Sequence, residues 1–477
     1  MKLKETSYVV IAAALCQFIQ QLIANITVVA LPKIAYDLNF AADTILGVNL
    51  IYLCALVAFC IPAAKIINQY GVKKCTQIGI FGLFISIILS VFAFDQSIFL
   101  ISRLIQGLTS AVLSCSIYMM AVNEFEGTQL GSALGIIGSS GYVGMLIAPS
   151  FMGFMMYLIN WKSAFLILIP IVVVLIFLLN KIDNEWFGEK KSIDYTGSII
   201  FILSMVLFTY GISTLDEYGL IPFILSFILM FAFVKAERKA ENPIYNLKLL
   251  KNTKFSIGTY AAFATYFTTT VAITALSFYL QIVLDMDEYV VGMVLIITPI
   301  LMIGVSGMAG RLSDKYDPRI ISGIGTLFLL VAMTMFVFMD QLDFKLILVA
   351  CALQGIGTGM FSAPNNKYVL TLVDGDDLPD ASASLSTSKE FGKIMSAGIY
   401  TLLFSIFFGN AVLGEPEYDY LLIYVTQLMM IINTLVLFIS LILLLYSKYH
   451  YEKWENPEVI KICSSITPEW IKKRFSR

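Results

Sequence analysis

Charged side chains inside long apolar stretches are the first candidates for chemistry in this sequence. Arg103 lies near one end of such a stretch, and Lys389, Glu390 and Lys393 lie together in another. A charge within membrane hydrocarbon is costly, so its presence indicates a function or a buried partner. Arg103 could control a proton or an anionic group at a cavity wall. The alternative is that its long side chain extends to the outer membrane surface.

Glu390 is the one acid well inside a predicted membrane helix, which makes it the candidate proton carrier. Burial favours the neutral form of a carboxyl, whereas neighbouring cations such as Lys389 favour the charged form. The sequence does not decide between these effects. The alternative to a proton carrier is a local ion pair between Glu390 and Lys393, three residues apart on one helix.

Three further apolar segments carry stripes of neutral polar side chains. The stripes are Gln17, Gln21 and Asn25, then Gln106, Ser110 and Ser114, and finally Gln354, Thr358 and Ser362. Residues four apart share one face of a helix, so each stripe predicts a wall of a solvated substrate cavity. The alternative reading is hydrogen bonding between neighbouring helices.

The composition indicates that lipid is the main solvent of the elements that position these residues. Of 477 residues, 58% are hydrophobic and 13% are charged, whereas a soluble domain has about 25% charged residues. The net charge of −2 gives no reason to expect nucleic acid as a partner. The single histidine, His450, and seven scattered cysteines suggest neither a metal site nor a disulfide framework, and we expect no cofactor.

Fourteen segments are long and apolar enough to cross a membrane as helices. The predicted spans are 8–30, 45–67, 76–94, 98–120, 131–157, 163–181, 196–214, 218–235, 255–283, 290–311, 320–340, 345–366, 383–409 and 421–446. Of 31 lysines and arginines, only Lys33, Lys162 and Lys345 fall on the side that we assign to the outside. The positive-inside rule therefore predicts that both termini are cytoplasmic.

Two basic turns, at residues 64–74 and 310–319, repeat one pattern and follow spans 2 and 10. Internal repeats in a membrane protein are typical of transporters that move one half against the other. The eight-span separation predicts two six-helix bundles with a two-helix insertion. The predicted segments are an N-terminal bundle (1–190), inserted spans 7 and 8 with a cytoplasmic linker (191–254), a C-terminal bundle (255–446) and a cytoplasmic tail (447–477).

At this point the chain resembles the major facilitator superfamily, specifically its fourteen-span drug:proton antiporter branch. The resemblance extends over nearly the whole chain to residue 446. The residues that carry it are the turn from Gly310 to Arg319, its weaker copy with Asn68, Gly71 and Lys73, the span 4 motif with Arg103, Gln106 and Gly107, and Gly144, Pro149 and Gly153 in span 5. It implies a multi-pass transporter of the plasma membrane, an all-α integral membrane protein with the major facilitator fold.

The second basic turn predicts a gate. In this turn Asp314 can accept hydrogen bonds from amides at a helix N-terminus, or it can pair with Arg311 or Arg319. Contacts of this kind form when the cytoplasmic side closes and break when it opens. Gly310 and Lys315 belong to the same predicted gating turn. The alternative is that the basic residues only fix topology. In span 5, Gly144, Pro149 and Gly153 predict a close helix contact and a bend.

We therefore expect a proton-coupled exporter of small amphipathic organic compounds that works by alternating access, with protons and membrane lipids as its other partners. We expect a monomer. The chain has no GxxxxGK[ST] loop, so it should not hydrolyse ATP. Family members typically carry an aspartate in span 1 where this chain has Ile23, which keeps a lipid or metabolite facilitator without proton coupling open. A membrane-embedded enzyme and a channel are the remaining alternatives.

Overall fold

Fourteen helices in the described part of the chain are long and apolar enough to cross a membrane, which confirms the predicted number of spans. The computed structural model describes residues 2–40, 47–125, 127, 129–188, 193–215, 218–341, 343–408 and 419–447. The helices are α1 Lys2–Asp37, α2 Gly47–Tyr70, α3 Val72–Val91, α4 Gln96–Glu124, α5 Leu130–Leu158, α6 Trp161–Leu166 with Leu168–Asn180, α7 Tyr195–Ser213, α8 Leu220–Glu237, α9 Thr253–Phe278, α10 Glu288–Leu295 with Ile297–Lys315, α11 Pro318–Val337, α12 Phe344–Leu370, α13 Leu378–Phe408 and α14 Asp419–Tyr446. No strand occurs among these residues.

Two of the helices are interrupted, and proline explains both breaks. Helix α6 is broken after Leu166 and helix α10 after Leu295. Pro170 and Pro299 each stand four residues later. A proline cannot donate to the carbonyl four residues back, and its ring clashes with that carbonyl. Helix α9 instead ends in one π turn, Tyr279–Val283.

The first six helices pack together and so do the last six, and the two groups meet mainly along two pairs of helices. Helix α5 packs against α10, and α2 packs against α13. Small residues allow the first pair to approach closely. A Cβ on Gly310 of α10 would lie 2.3 Å from the carbonyl oxygen of Gly131 of α5, so a larger side chain would force these helices apart.

Helices α7 and α8 form a pair beside the contact between α2 and α13. Helix α7 packs against α2 and α13, with the ring of Phe208 centred 4.7 Å from that of Phe391. Helix α8 packs against α7, where the Ser204 hydroxyl donates to the carbonyl of Ser226 at 2.8 Å. The partition of the chain into the four segments named above stays a prediction. Most of the predicted tail, residues 448–477, lies outside the described residues.

Candidate functional site

A cavity of about 460 Å³ lies between the two six-helix bundles, near the middle of the spans. Two of the three predicted stripes line it from opposite bundles. They are Gln17, Gln21 and Asn25 of α1, and Gln354, Thr358 and Ser362 of α12. Both stripes therefore place amide and hydroxyl groups where a bound molecule could meet them. The volume falls in the usual range for drug-sized ligands.

The third stripe does not line the cavity. The side chain of Gln106 is fully buried in α4 and donates to the Ser90 hydroxyl at 3.1 Å. Gln20 of α1 donates to the Ser110 carbonyl at 2.8 Å and also to the Ser114 hydroxyl. These residues hold α1, α3 and α4 together behind the cavity wall, which is the alternative that the sequence left open.

Arg103 is fully buried and does not extend to the outer surface. Its guanidinium donates to Gln106 Oε1 at 2.7 Å, to Asn49 Oδ1 at 3.3 Å and to two backbone carbonyls, of Ile23 and Val48, at 3.4 Å. Its Cζ also lies 4.5 Å from the centre of the Tyr52 ring. Asn49 and Tyr52 line the cavity. Arg103 thus stands one layer behind the wall and positions two residues of that wall.

The three charged residues in the middle of α13 divide into an ion pair and a single cation. Glu390 accepts from Lys393 at 2.8 Å, so the local ion pair is present. Lys389 donates instead to the Tyr118 hydroxyl of α4. Its Nζ lies 4.9 Å from the centre of the Tyr118 ring and 5.4 Å from that of Tyr266. Lys389 and Lys393 line the cavity, whereas Glu390 is not among the lining residues.

Four tyrosines on the cavity wall were not predicted from the sequence: Tyr52, Tyr118, Tyr142 and Tyr266. They come from α2, α4, α5 and α9, so aromatic rings face the cavity from both bundles. Twenty-four tyrosines occur in the chain, and the spacing of these four along their helices does not set them apart from the others.

The cavity is closed on the side that the predicted topology assigns to the cytoplasm, which we call the cytoplasmic face. Asp314, at the end of α10, accepts from the backbone amides of Gly131 and Ser132 at 2.8 and 2.7 Å. These amides begin α5, so the carboxylate meets the positive end of a helix dipole. Lys367 of α12 donates to the same carboxylate at 2.7 Å and is 1% exposed.

Of the two predicted arrangements for Asp314, the structure therefore shows the helix N-terminus and not the pairing with its own turn. Arg311 and Lys315 are exposed. Arg319 pairs with Asp317 at 3.4 Å. Burial raises the pKa of the Asp317 carboxyl, and the charge of Arg319 opposes this shift. Lys367 directly follows predicted span 12 (345–366), and nothing in the sequence indicated its contact with Asp314.

A second contact joins the bundles at the cytoplasmic face. Lys65 of α2 pairs with Asp380 of α13 at 3.0 Å, and the Asp380 side chain is 2% exposed. The backbone amide of Asn246, in the linker after α8, donates to the same carboxylate at 2.9 Å. We call the contacts of Asp314 and Asp380 the cytoplasmic seal. A larger hollow of about 990 Å³ lies beside the linker, outside this seal.

Apart from Lys65, the first basic turn makes the contacts described here within its own bundle. Glu185, after α6, accepts from the amides of Lys73 and Lys74 at 2.7 and 3.0 Å. Gly71 has φ of 103°, and a Cβ there would lie 2.7 Å from the Glu185 carboxylate. The Asn68 carbonyl accepts from the Gly188 amide at 2.8 Å. Asn68 thus occupies the position of Asp314 in the repeat without reaching the other bundle.

The two glycines of the motif in α5 differ in their surroundings: one contacts a neighbouring helix and the other faces open space. A Cβ on Gly144 would lie 2.4 Å from the Phe18 carbonyl oxygen, so this glycine permits close packing on α1. Gly153 has nothing within 4 Å of the corresponding point. Pro149 lies inside α5 without ending it, which leaves the Met145 carbonyl, on the cavity wall, without its helical donor.

Comparison with known proteins shows to which family this sequence belongs. The sequence profile of the Major Facilitator Superfamily matches residues 13–236 and 258–475. The riboflavin transporter RibZ of Clostridioides difficile (strain 630) is 25% identical over 419 residues, which are 87% of this chain and 91% of that protein. The drug efflux pump JefA of Mycobacterium tuberculosis (strain H37Rv) is 23% identical, over 84% of this chain and 81% of its own.

Solved structures show the same fold at low sequence identity. The human organic anion transporter MFSD10 (TETRAN) superimposes with a TM-score of 0.69 at 11% identity, over 92% of this chain and 99% of its own. The proton:xylose symporter XylE gives 0.63 at 12% identity, over 91% and 95%. These matches confirm the major facilitator fold, and the drug efflux pump JefA supports the drug efflux branch. The chain belongs to the Major Facilitator Superfamily.

Proposed function

We propose that this protein exports amphipathic organic compounds across the plasma membrane by alternating access, coupled to the influx of protons. The observation that carries the proposal is the cavity between the two bundles, closed at the cytoplasmic face by contacts that join them. Family and fold point to a transporter and not to an enzyme. We further propose that the protein acts as a monomer with both termini in the cytoplasm.

The seal is built so that it can open. Asp314 and Asp380 bind groups of the opposite bundle through a few charge-assisted contacts. A small set of such contacts biases one of two packings without fixing it, which a two-state equilibrium requires. Opening the seal would separate Asp314 from α5 and Lys65 from Asp380, and would expose the cavity to the cytoplasm.

The cavity wall suits an amphipathic cargo. Apolar residues such as Leu53, Ile137 and Met302 share the wall with the amide stripes and the four tyrosines. Ligand sites of this kind combine apolar contact with a few polar groups that fix orientation. The activities for which the relatives are named, riboflavin transport for RibZ and drug efflux for JefA, also concern organic molecules.

Proton coupling is proposed through Glu390. Its partner Lys393 lines the cavity, so protonation of Glu390 would change the charge that a substrate meets. One proton crossing about 150 mV supplies roughly 3.5 kcal/mol, enough for useful export.

The second candidate is a lipid or metabolite facilitator without proton coupling, and a specific observation favours it. Glu390 is already neutralised by Lys393 at 2.8 Å, and no acid is found among the described residues that line the cavity. Ile23, which stands where the resemblance predicts an aspartate, is fully buried.

Reconstitution into proteoliposomes with imposed pH and voltage gradients separates these candidates. We expect an outward-directed substrate flux that rises when protons can flow inward and that drives measurable proton entry. Substrate flux without proton entry, at a rate unchanged by the pH gradient, would support the facilitator. The absence of any flux for cationic, neutral and anionic amphiphiles would overturn the transport proposal itself.

A further inference from the structure

The charges around the cavity are predominantly positive. Lys389 and Lys393 stand one turn apart on α13 and line the same cavity. Arg103 lies behind the wall, and Glu390 is the one acid of this group. Three cations and one anion leave an excess of two positive charges among these described residues, in a region where each uncompensated charge is costly.

Of the two cations that line the cavity, Lys389 is the one without an acidic partner among the described residues. It is 6% exposed, and its ammonium donates to the Tyr118 hydroxyl and lies over the ring of Tyr266. Hydroxyls and ring faces stabilise an ammonium group without removing its net charge. Lys393, by contrast, is neutralised by Glu390. The cavity therefore offers one buried positive charge that an anion of the cargo could balance.

The surroundings of Lys389 also indicate what the rest of the cargo looks like. Tyr118 and Tyr266 flank the ammonium group, and Tyr52 and Tyr142 also line the cavity. Aromatic side chains pack by offset stacking or edge-to-face contact with other rings. The amides of Gln17 and Gln21 on the facing α1 can bind polar substituents. A planar aromatic compound with one acidic group could contact the lysine, the tyrosine rings and the amides at the same time inside this cavity of about 460 Å³.

From this arrangement we infer that the cavity selects organic anions, planar aromatic compounds bearing a carboxylate or sulfonate, and that Lys389 binds the anionic group. This inference rests on the proposed transport function and names its substrate class. A cationic amphiphile would bring a like charge next to Lys389 in a region of low dielectric, so the same residue would disfavour it.

The test compares three dyes that share one xanthene frame: fluorescein (anionic), rhodamine B (zwitterionic) and rhodamine 6G (cationic). Binding to the full-length protein in nanodiscs is measured by fluorescence anisotropy, and flux is measured in proteoliposomes. We expect fluorescein to bind about tenfold or more tightly than rhodamine 6G, as one charge-assisted contact implies. Equal or tighter binding of rhodamine 6G would overturn the inference.

Variants at Lys389 assign the selectivity to this residue. Lys389→Gln should lower the affinity for fluorescein about tenfold and should not lower that for rhodamine 6G, which has no anionic group, whereas Lys389→Arg should restore anion binding. Lys33→Gln is the matched control, because Lys33 is an exposed lysine in α1. Fluorescein affinity that Lys389→Gln leaves unchanged would also overturn the inference.

Binding and flux together separate this inference from the transport proposal. Fluorescein that binds through Lys389 but is not carried would support the inference and contradict transport. Rhodamine 6G that is carried while fluorescein neither binds preferentially nor moves would support transport and contradict the inference.

Discussion

At the residue scale, Arg103 connects the wall of the cavity to the helices behind it. Its contacts reach α1, α2 and α4, and all of them go to neutral acceptors. Removing the side chain would take the donor away from the amide oxygens of Gln106 and Asn49, whereas the two backbone carbonyls lie within helices and keep their helical donors. Each such group costs about 1–3 kcal/mol. The same change would release Asn49 and Tyr52, so one substitution should affect both folding stability and substrate binding.

We therefore predict that Arg103→Ala abolishes export while the protein still reaches the membrane, with a lower unfolding temperature. Arg103→Lys should retain part of the activity, because a lysine keeps the charge but cannot span four acceptors in fork geometry. Transport, surface expression and thermal unfolding are measured on the same preparations. Export by Arg103→Ala at the wild-type rate would remove Arg103 from the site.

Glu390→Gln is the corresponding test of proton coupling. The substitution removes the proposed proton carrier and keeps the size of the side chain, so substrate exchange should persist and its response to pH should disappear. Lys393 would lose its charged partner at 2.8 Å and would add to the positive charge of the cavity. Exchange rates are measured across a pH series with equal pH on both sides. A pH response that persists in the variant would place coupling elsewhere.

At the element scale, the cytoplasmic seal depends on where helices begin and end. Asp314 closes the last turn of α10 against the first amides of α5, so one carboxylate joins two helix ends from opposite bundles. We predict that Asp314→Ala shifts the protein toward a state open to the cytoplasm. The substitution removes charge-assisted bonds worth about 1.5–3 kcal/mol each, which corresponds to at least a tenfold change in population.

Spin labels placed at Lys74 and Lys315 measure this shift, since both residues are exposed at the cytoplasmic ends of opposite bundles. The longer-distance population should grow in Asp314→Ala. Arg311→Ala is the control, because its side chain is exposed in the same turn. Identical distance distributions in wild type and Asp314→Ala would contradict a sealing role.

The contact between α5 and α10 makes a second prediction at this scale. Gly310→Ala would place a Cβ 2.3 Å from the Gly131 carbonyl oxygen, so the two helices must move apart. We expect a loss of about 1–3 kcal/mol of stability in the closed state and slower transport. Gly304→Ala in the same helix has open space at that point and should behave as wild type. Equal unfolding temperatures for the two variants would contradict the role of this close contact.

The elements could be predicted from the sequence far more fully than the site. Apolar runs and the distribution of lysine and arginine determine the fourteen spans, because both reflect transfer from water to lipid. The stripe that contains Gln106 was predicted to line the cavity but lies behind its wall. Helical spacing shows which residues share a face of a helix but not what that face contacts. Lys367 and the cavity tyrosines were missed for the same reason: their partners come from helices distant in the sequence.

At the scale of the whole molecule, the charge of the cargo decides how the membrane potential acts on transport. The interior of a cell is negative, so export of an anion moves negative charge in the favoured direction. Each net charge is worth about 2.3 kcal/mol per 100 mV, or roughly a fiftyfold gradient at equilibrium. An exporter of organic anions would thus gain driving force from voltage even where the two sides have equal pH.

We therefore predict that a negative-inside potassium diffusion potential, set with valinomycin at equal pH, accelerates fluorescein efflux from proteoliposomes. Glu390→Gln separates the two sources of charge movement: the voltage response should persist if the anion carries the charge, and should fall if a proton on Glu390 carries it. Lys389→Gln should slow the flux at every voltage, because Lys389 lines the cavity without an acidic partner among the described residues. Wild-type efflux that is the same at zero and at 100 mV would contradict net charge movement and, with it, uncoupled export of an anion.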